Sequence, residues 1–360
     1  MKNNNMRIGI LTFHSAHNYG ALYQAYGLKM YLKQHGYKVE ILDYRPYYIE
    51  NKYALFPKGL KGMKDTLKEI IKIPSKFIRR NRFKSFISKY IQPFPDKQEW
   101  SQFDVYIVGS DQVWSPFITA FDPYYWGTFE RKQNSRLISY APSFEIPDLQ
   151  DEDLDKMVSL INRFDRVSLR EQSSIDLLSD KLKRSPELVI DPTLLVDRNT
   201  WLSFVKKQDR KEKYILVYQV RVSNKVIECA KGIAHKNKLK IKVVVSNRYN
   251  NPFSEVEYIK PSPIEFLNLV YNAELIMSSS FHGVAMSIVY HKPFYAFTLC
   301  DGRNDRIMTL LDNTGLSNRL IDKESDISLK PIRYGDVEKM LYAFREKSEK
   351  YLITAINDKD

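Results

Sequence analysis

The sequence predicts an α/β protein of two Rossmann-like, doubly wound parallel-sheet domains facing a cleft. Three observations lead there. Short apolar strand signals alternate with amphipathic helix signals along the chain, the pattern of parallel sheets covered by helices on both faces. The chain has 360 residues, 43% of them hydrophobic, which suits two domains of roughly 150 residues better than one core. Polar clusters follow directly on predicted strands, and open α/β sheets hold ligands outside the carboxyl ends of their strands.

Taken in order, a strand is predicted over 7–12, a helix over 20–34 that Gly36 ends, and a strand over 39–44. Further strands follow at 104–108, 137–140, 166–169 and 188–190, with helices over 151–163 and 173–182. A second series of strands runs at 214–220, 241–245, 256–259, 274–277 and 294–297, with helices over 224–235, 263–272, 284–290 and 305–312. From Asp191-Pro192-Thr193 to Lys213, proline and dense charge mark a crossover near residue 200. The expected domains are 1–200, with a basic helical insertion at about 50–95, and 201–330. A closing helix within 331–360 carries Met340, Leu341, Phe344, Tyr351 and Leu352 on one face and is expected to pack across the junction.

Composition narrows the class. Two cysteines, Cys229 and Cys300, cannot make a disulfide framework and lie in no zinc-ligand spacing, so a reducing cytosol is the expected compartment. The apolar run 8–13 is too short for a signal-peptide core, and no segment reaches 18 uninterrupted apolar residues, so a soluble or peripheral protein is expected. The net charge of +13 is localised: residues 52–92 hold twelve Lys or Arg against Asp65 and Glu69, a net of +10. There Phe83, Phe86, Ile87, Tyr90 and Ile91 recur at helical spacing, giving a helix with one apolar face and a basic remainder. Such a helix can lie peripherally on an anionic membrane, or pack its apolar face on the domain with its lysines solvated. Nucleic acid is not expected, because the aromatics share the aliphatic face instead of forming a separate stacking platform.

The most informative stretch is Met277-Ser278-Ser279-Ser280-Phe281-His282-Gly283, where an apolar strand runs into hydroxyls, a histidine and a glycine before a helix. With the helix expected from residue 284, Ser279 to Gly283 form the turn; the helix start favours an anion, and Gly283 would let a ligand approach the backbone. Asn18, Tyr19 and Gly20 join the first strand to the first helix and can offer backbone N–H groups, although the spaced glycines of a dinucleotide fingerprint are missing. Ser110, Asp111 and Gln112 end another strand, suiting them to bind sugar hydroxyls, with Trp114 as a stacking surface for a sugar ring; an Asp N-cap with a buried Trp has the same sequence. Arg170, after Ser168-Leu169, can grip phosphate or carboxylate through two parallel hydrogen bonds, or form a salt bridge to Glu171 or to an acid of the first domain. Arg303 and Arg306, after the strand at 294–297, add a cationic edge.

In this order, His17-Asn18-Tyr19-Gly20-Ala21 with Gln24, Gly109 to Trp114, Ser139 to Phe144, Ser168 to Glu171, Asp191-Pro192-Thr193-Leu194-Leu195 and Ser280 to Gly283 resemble the polysaccharide pyruvyl transferase family. The resemblance spans about residues 8–320. It implies a GT-B-like fold with an acceptor-side first domain and a donor-side second domain. It also implies phosphoenolpyruvate as co-substrate and a sugar or lipid-linked glycan precursor as acceptor. His282 matches the family's proposed catalytic acid, and Arg170 matches an arginine of its donor site. One position departs: family members carry a basic residue two places before that histidine, where this chain has Ser280.

The leading expectation is pyruvyl transfer from phosphoenolpyruvate to a sugar diol, giving a pyruvate ketal. His282 would donate the proton, Arg170, Arg303 and Arg306 would hold donor anions, and Asp111 would orient or deprotonate the acceptor. A helix N-terminus disfavours the imidazolium this requires, and bound donor anions would oppose that effect. No metal or other cofactor is required. The alternatives are a glycosyltransferase of the same architecture using a nucleotide sugar, and a non-catalytic component of a polysaccharide assembly complex.

Overall fold

Two parallel sheets position everything that follows. The chain is seen in a computed structural model that describes residues 6–55, 63–144, 146, 149–206, 212–219, 223–245, 253–298, 304–321 and 327–358, the side chains of 63–72 excepted. Strands β1 (Arg7–Leu11), β2 (Lys38–Ile41), β3 (Val105–Val108) and β4 (Arg136–Ser139) form the first sheet in the order β2-β1-β3-β4. A two-stranded ladder, β5 (Ser168–Leu169) with β6 (Glu187–Leu188), extends beyond β4 through a bridge from Ile138 to Arg166. The second sheet contains β7 (Tyr214–Tyr218), β8 (Lys240–Val244), β9 (Val256–Ile259), β10 (Leu275–Ser278), β11 (Phe294–Phe297) and β12 (Leu320–Ile321), in the order β12-β11-β10-β7-β8-β9. Every ladder is parallel. The near-continuous apolar sequences of β3 and β10 follow from this, since strands covered on both faces bury every side chain.

Strand order locates the crevices. The first sheet reverses direction of growth between β1 and β3, and the second between β7 and β10, so each has a topological switch point there. The carboxyl ends of these four strands release residues 12–18, 109–111, 218–219 and 279–282, which include most of the candidate site.

Several elements differ from expectation. The segment after Asp191 is no open crossover: Pro192–Leu195 and Arg198–Leu202 are short helices, and the indole of Trp201 is buried and donates to the Thr193 carbonyl. Asp191 caps the first of them through the Thr193 amide, with proline in the first turn. The helix expected from residue 284 spans Phe281–Val289, so His282 and Gly283 lie in its first turn rather than before it. The strand at 320–321 carries too little sequence to show a period.

In the basic segment, a helix over Met63–Phe86 continues into a π turn at Ile87–Ile91. Phe83, Phe86, Ile87 and Ile91 are buried, so this face packs on the protein. The same helix ties the two halves together, Arg82 donating to the Lys260 carbonyl at 2.8 Å and Lys260 to the Ser75 hydroxyl at 2.8 Å. The closing helix, Tyr334–Asn357, starts with the Tyr334 hydroxyl on the Lys292 carbonyl and ends with the Ala355 carbonyl accepting from Arg136 of β4. Among the described residues no helix is long and apolar enough to cross a membrane.

Candidate active site

At the centre of the site Arg170 meets three carboxylates. Its guanidinium is only 3% exposed and sits 2.5 Å from Asp191, 3.8 Å from Asp111 and 3.8 Å from Glu171, with Phe281 beneath it at 4.7 Å. The salt bridge to Glu171 and to first-domain acids is therefore real. It leaves capacity, however: Nε and Nη2 of Arg170, Oε2 of Glu171 and Nε2 of His282 are buried without a hydrogen-bond partner among the described residues. Buried polar atoms are nearly always satisfied, and four unsatisfied ones in a single cluster mark a place built to receive polar groups.

His282 enters from the second sheet. Its Nε2 lies 3.7 Å from Asp191 Oδ2, too far for a hydrogen bond but close enough for charge to act. The ring packs on Gly20, where a Cβ would fall 2.0 Å from its Nδ1. Gly20 is thus required for the imidazole to approach the first domain. Gly20→Ala should displace His282 and lower turnover at least tenfold while donor affinity changes less, a split that steady-state kinetics read directly. Gly283 is likewise a packing residue rather than a ligand approach, since a Cβ there would meet the Ser278 hydroxyl at 2.2 Å.

Asp191 was not among the expected site residues, yet it links the two halves. It accepts from Arg170, from the Ser110 hydroxyl at 3.3 Å and from the amide and hydroxyl of Thr193. Burial alone would raise its pKa, but His282, Arg170 and the Thr193 amide outweigh that and hold the carboxyl well below the usual carboxylate range. Glu171 behaves differently. Burial pushes its pKa up despite Arg170, Arg306 and the Ser143 hydroxyl, which donates to it at 2.5 Å.

The remaining candidates divide. Asp111 lies at the cleft with 9% exposure and a left-handed φ of 69°. Gln112 is partly buried beside it, and Ser110 is fully buried, its amide donating to Gln24. Ser279 and Ser280 are buried at the start of the His282 helix, and the Ser280 hydroxyl pairs with the Tyr218 phenol. Asn18 is exposed and caps the first helix through Ala21. Tyr19 is an inter-sheet packing residue instead of a ligand contact: its ring stacks on Phe266 at 4.5 Å and its hydroxyl donates to the Pro261 carbonyl. Trp114 is the clear correction. At 0% exposure, stacked on Trp126 at 5.2 Å and donating to the Tyr125 carbonyl, it offers no surface to a sugar. Arg306 acts on Glu171, whereas Arg303 lies outside the described residues.

Three further residues line the mouth. Tyr53 meets the His17 ring at 4.9 Å in a tilted contact, Tyr218 is reached by the charges of both Arg79 and Asp111, and Arg79 of the basic helix donates to the His17 carbonyl at 2.7 Å. Nothing in their local sequence marks them, because they meet only through the tertiary fold. Burial, followed by Arg79, Arg80 and Lys84, lowers the His17 pKa from 6.5 to about 4. A base with a depressed folded pKa takes up its proton first in the unfolded chain, so stability should fall as pH drops from 6.5 toward 4. Denaturant titrations across that window should show a shallower decline for His17→Gln than for the wild type.

Comparison with known proteins bears on the fold and the family. Solved structures sharing the fold include Staphylococcus aureus MnaA with UDP, 14% identical over 99% of both chains at a TM-score of 0.50. Others are a putative UDP-N-acetylglucosamine 2-epimerase from Listeria monocytogenes, 12% identical over 97% of this chain and 90% of that one at 0.49, and the glycosyltransferase SnogD from Streptomyces nogalater, 10% identical over 97% of each at 0.46. At 14% identity the likeness to MnaA concerns the fold alone, which is GT-B-like. Among curated proteins none matches in sequence. The profile described as polysaccharide pyruvyl transferase matches residues 18–301, covering the His17, Gly109, Arg170, Asp191 and His282 segments except for His17 itself, and the chain therefore belongs to the polysaccharide pyruvyl transferase family and is a transferase.

Proposed function

We propose that the protein transfers the pyruvyl unit of phosphoenolpyruvate to two hydroxyls of a sugar acceptor, forming a cyclic ketal and releasing phosphate. The observation that carries this reading is the cluster of unsatisfied buried atoms on Arg170, directly after β5, and His282, at the switch point of the second sheet. A planar guanidinium whose Nε and Nη2 make no hydrogen bond, with Glu171 and Asp111 at 3.8 Å, suits a carboxylate or phosphate, and an imidazole nearby suits proton transfer.

The reaction balances as follows. His282 gives a proton to C3 of the enol, leaving C2 electrophilic; the first acceptor hydroxyl adds to C2 and loses its proton. The bond from C2 to the phosphate oxygen then breaks, phosphate departs, and the second hydroxyl adds to C2 with loss of its proton. Asp111 would take a hydroxyl proton, and the Asp191 carboxylate faces the His282 imidazole at 3.7 Å. With serine at position 280, phosphate would be held by Arg306 and Arg79, the latter from the basic helix over the cleft mouth.

The test is incubation with phosphoenolpyruvate and sugar diols in D2O. A ketal methyl carrying one deuterium, with one phosphate released per ketal, is expected. Sugar transfer from a nucleotide sugar, with phosphoenolpyruvate inert across the panel, would replace this reading by the glycosyltransferase one.

A further inference from the structure

The basic helix has a second face that the chemistry does not use. Its inner side carries Phe83 and Phe86 into the core and Arg79 to the cleft mouth. On the outer side, Phe77, Asn81, Lys84 and Ser88 follow one another at four- and three-residue steps, with Ile78, Ser85 and Lys89 alongside, and all are exposed. Phe77 is 52% and Ile78 53% exposed, large apolar side chains next to one another on an outward face. No Asp or Glu occurs between Ile70 and Pro95, whereas seven Lys or Arg do.

We infer that this face docks on an anionic lipid bilayer, Phe77 and Ile78 entering the headgroup boundary while Arg80, Lys84 and Lys89 meet lipid phosphates. Charge complementarity selects that occupant. An amphipathic helix with bulky apolar side chains at its surface and unrelieved positive charge binds anionic membranes by both terms together. A nucleic-acid strand would use the charge but leave Phe77 and Ile78 without the succession of stacked bases that such sites present. Docking would lay the basic helix on the bilayer, with Arg79 on its inner side touching His17. An acceptor anchored in lipid would then be delivered to the site. That consequence rests on the transfer reading above; the docking itself does not.

The experiment is co-sedimentation of the full chain with vesicles of phosphatidylcholine alone and of phosphatidylcholine with phosphatidylglycerol, at low and high salt. Binding is expected to the anionic vesicles only, weakening at least tenfold at high salt. F77S/I78S should reduce it at least tenfold at either salt, and R80E/K84E should reduce it and flatten its salt dependence. Phe77, Ile78 and Lys84 are exposed and Arg80 is half-buried, so circular dichroism and thermal melts of the variants should stay close to the wild type, and phosphoenolpyruvate binding should be retained. Equal binding to both vesicle types, binding to neither, undiminished binding by F77S/I78S, or tight binding to a single-stranded oligonucleotide with none to vesicles would overturn the inference. Loss of phosphoenolpyruvate binding in the wild type alongside intact vesicle binding would fault the transfer reading alone.

Discussion

His282→Gln should yield a folded protein whose turnover is reduced roughly 10²- to 10⁴-fold, the usual cost of losing a general acid. Glutamine keeps most of the side-chain volume against Gly20, so the packing between the sheets is disturbed less than by alanine. It can still donate a hydrogen bond, but it cannot transfer a proton near neutral pH. The loss should therefore appear in kcat, with donor affinity changed by a smaller factor. A variant retaining half the wild-type rate would remove His282 from the chemistry and leave it as an interface residue.

The second large effect is on stability. Asp191→Asn should destabilise the protein by about 3–5 kcal/mol, the typical cost of breaking a fully buried ion pair by removing one partner. An asparagine oxygen could still accept from Thr193, but its amide would turn two N–H donors toward each other at Arg170. Because a natural domain is stable by only about 5–15 kcal/mol, this one substitution removes a large share of the total. The sign of the pH response follows from the depressed pKa of Asp191. Its contribution is complete above the unfolded carboxylate range near pH 4 and is lost as pH falls below it, so the gap between wild type and variant should narrow in acid. Denaturant unfolding at pH 7 and pH 3.5 measures both. A loss under 1 kcal/mol at pH 7 would mean that the Arg170 cluster is not the electrostatic keystone its burial indicates.

The regular elements were legible because their cause is local. Short apolar runs place β1, β3, β7, β9 and β11 within a residue or two, and the buried face of the basic helix at Phe83, Phe86, Ile87 and Ile91 follows from helical spacing alone. The site was legible at the level of segments, since polar residues after strands gather at the switch points of parallel sheets. It was not legible at the level of roles. Trp114 has the same sequence surroundings whether it stacks on a sugar or on Trp126, and only the fold brings the second indole to it. Gly20 and Gly283 are needed for close approach, as their conformational freedom suggests, but what approaches is protein and not ligand. Asp191 could have been identified as a helix cap from Asp-Pro-Thr, a signal obscured by reading the proline and the charge after it as a linker. Its partnership with Arg170 and His282 is tertiary and has no local signature.

The account turns on the anion that Arg170 and His282 receive. Calorimetric titration of the purified wild type with phosphoenolpyruvate and, separately, with UDP-sugars tests this without knowledge of the acceptor. Saturable binding of phosphoenolpyruvate is expected, weakened at least tenfold in Arg170→Lys because lysine cannot reproduce the planar two-bond grip, with little or no heat from UDP-sugars. Saturable binding of a UDP-sugar together with no binding of phosphoenolpyruvate would contradict it.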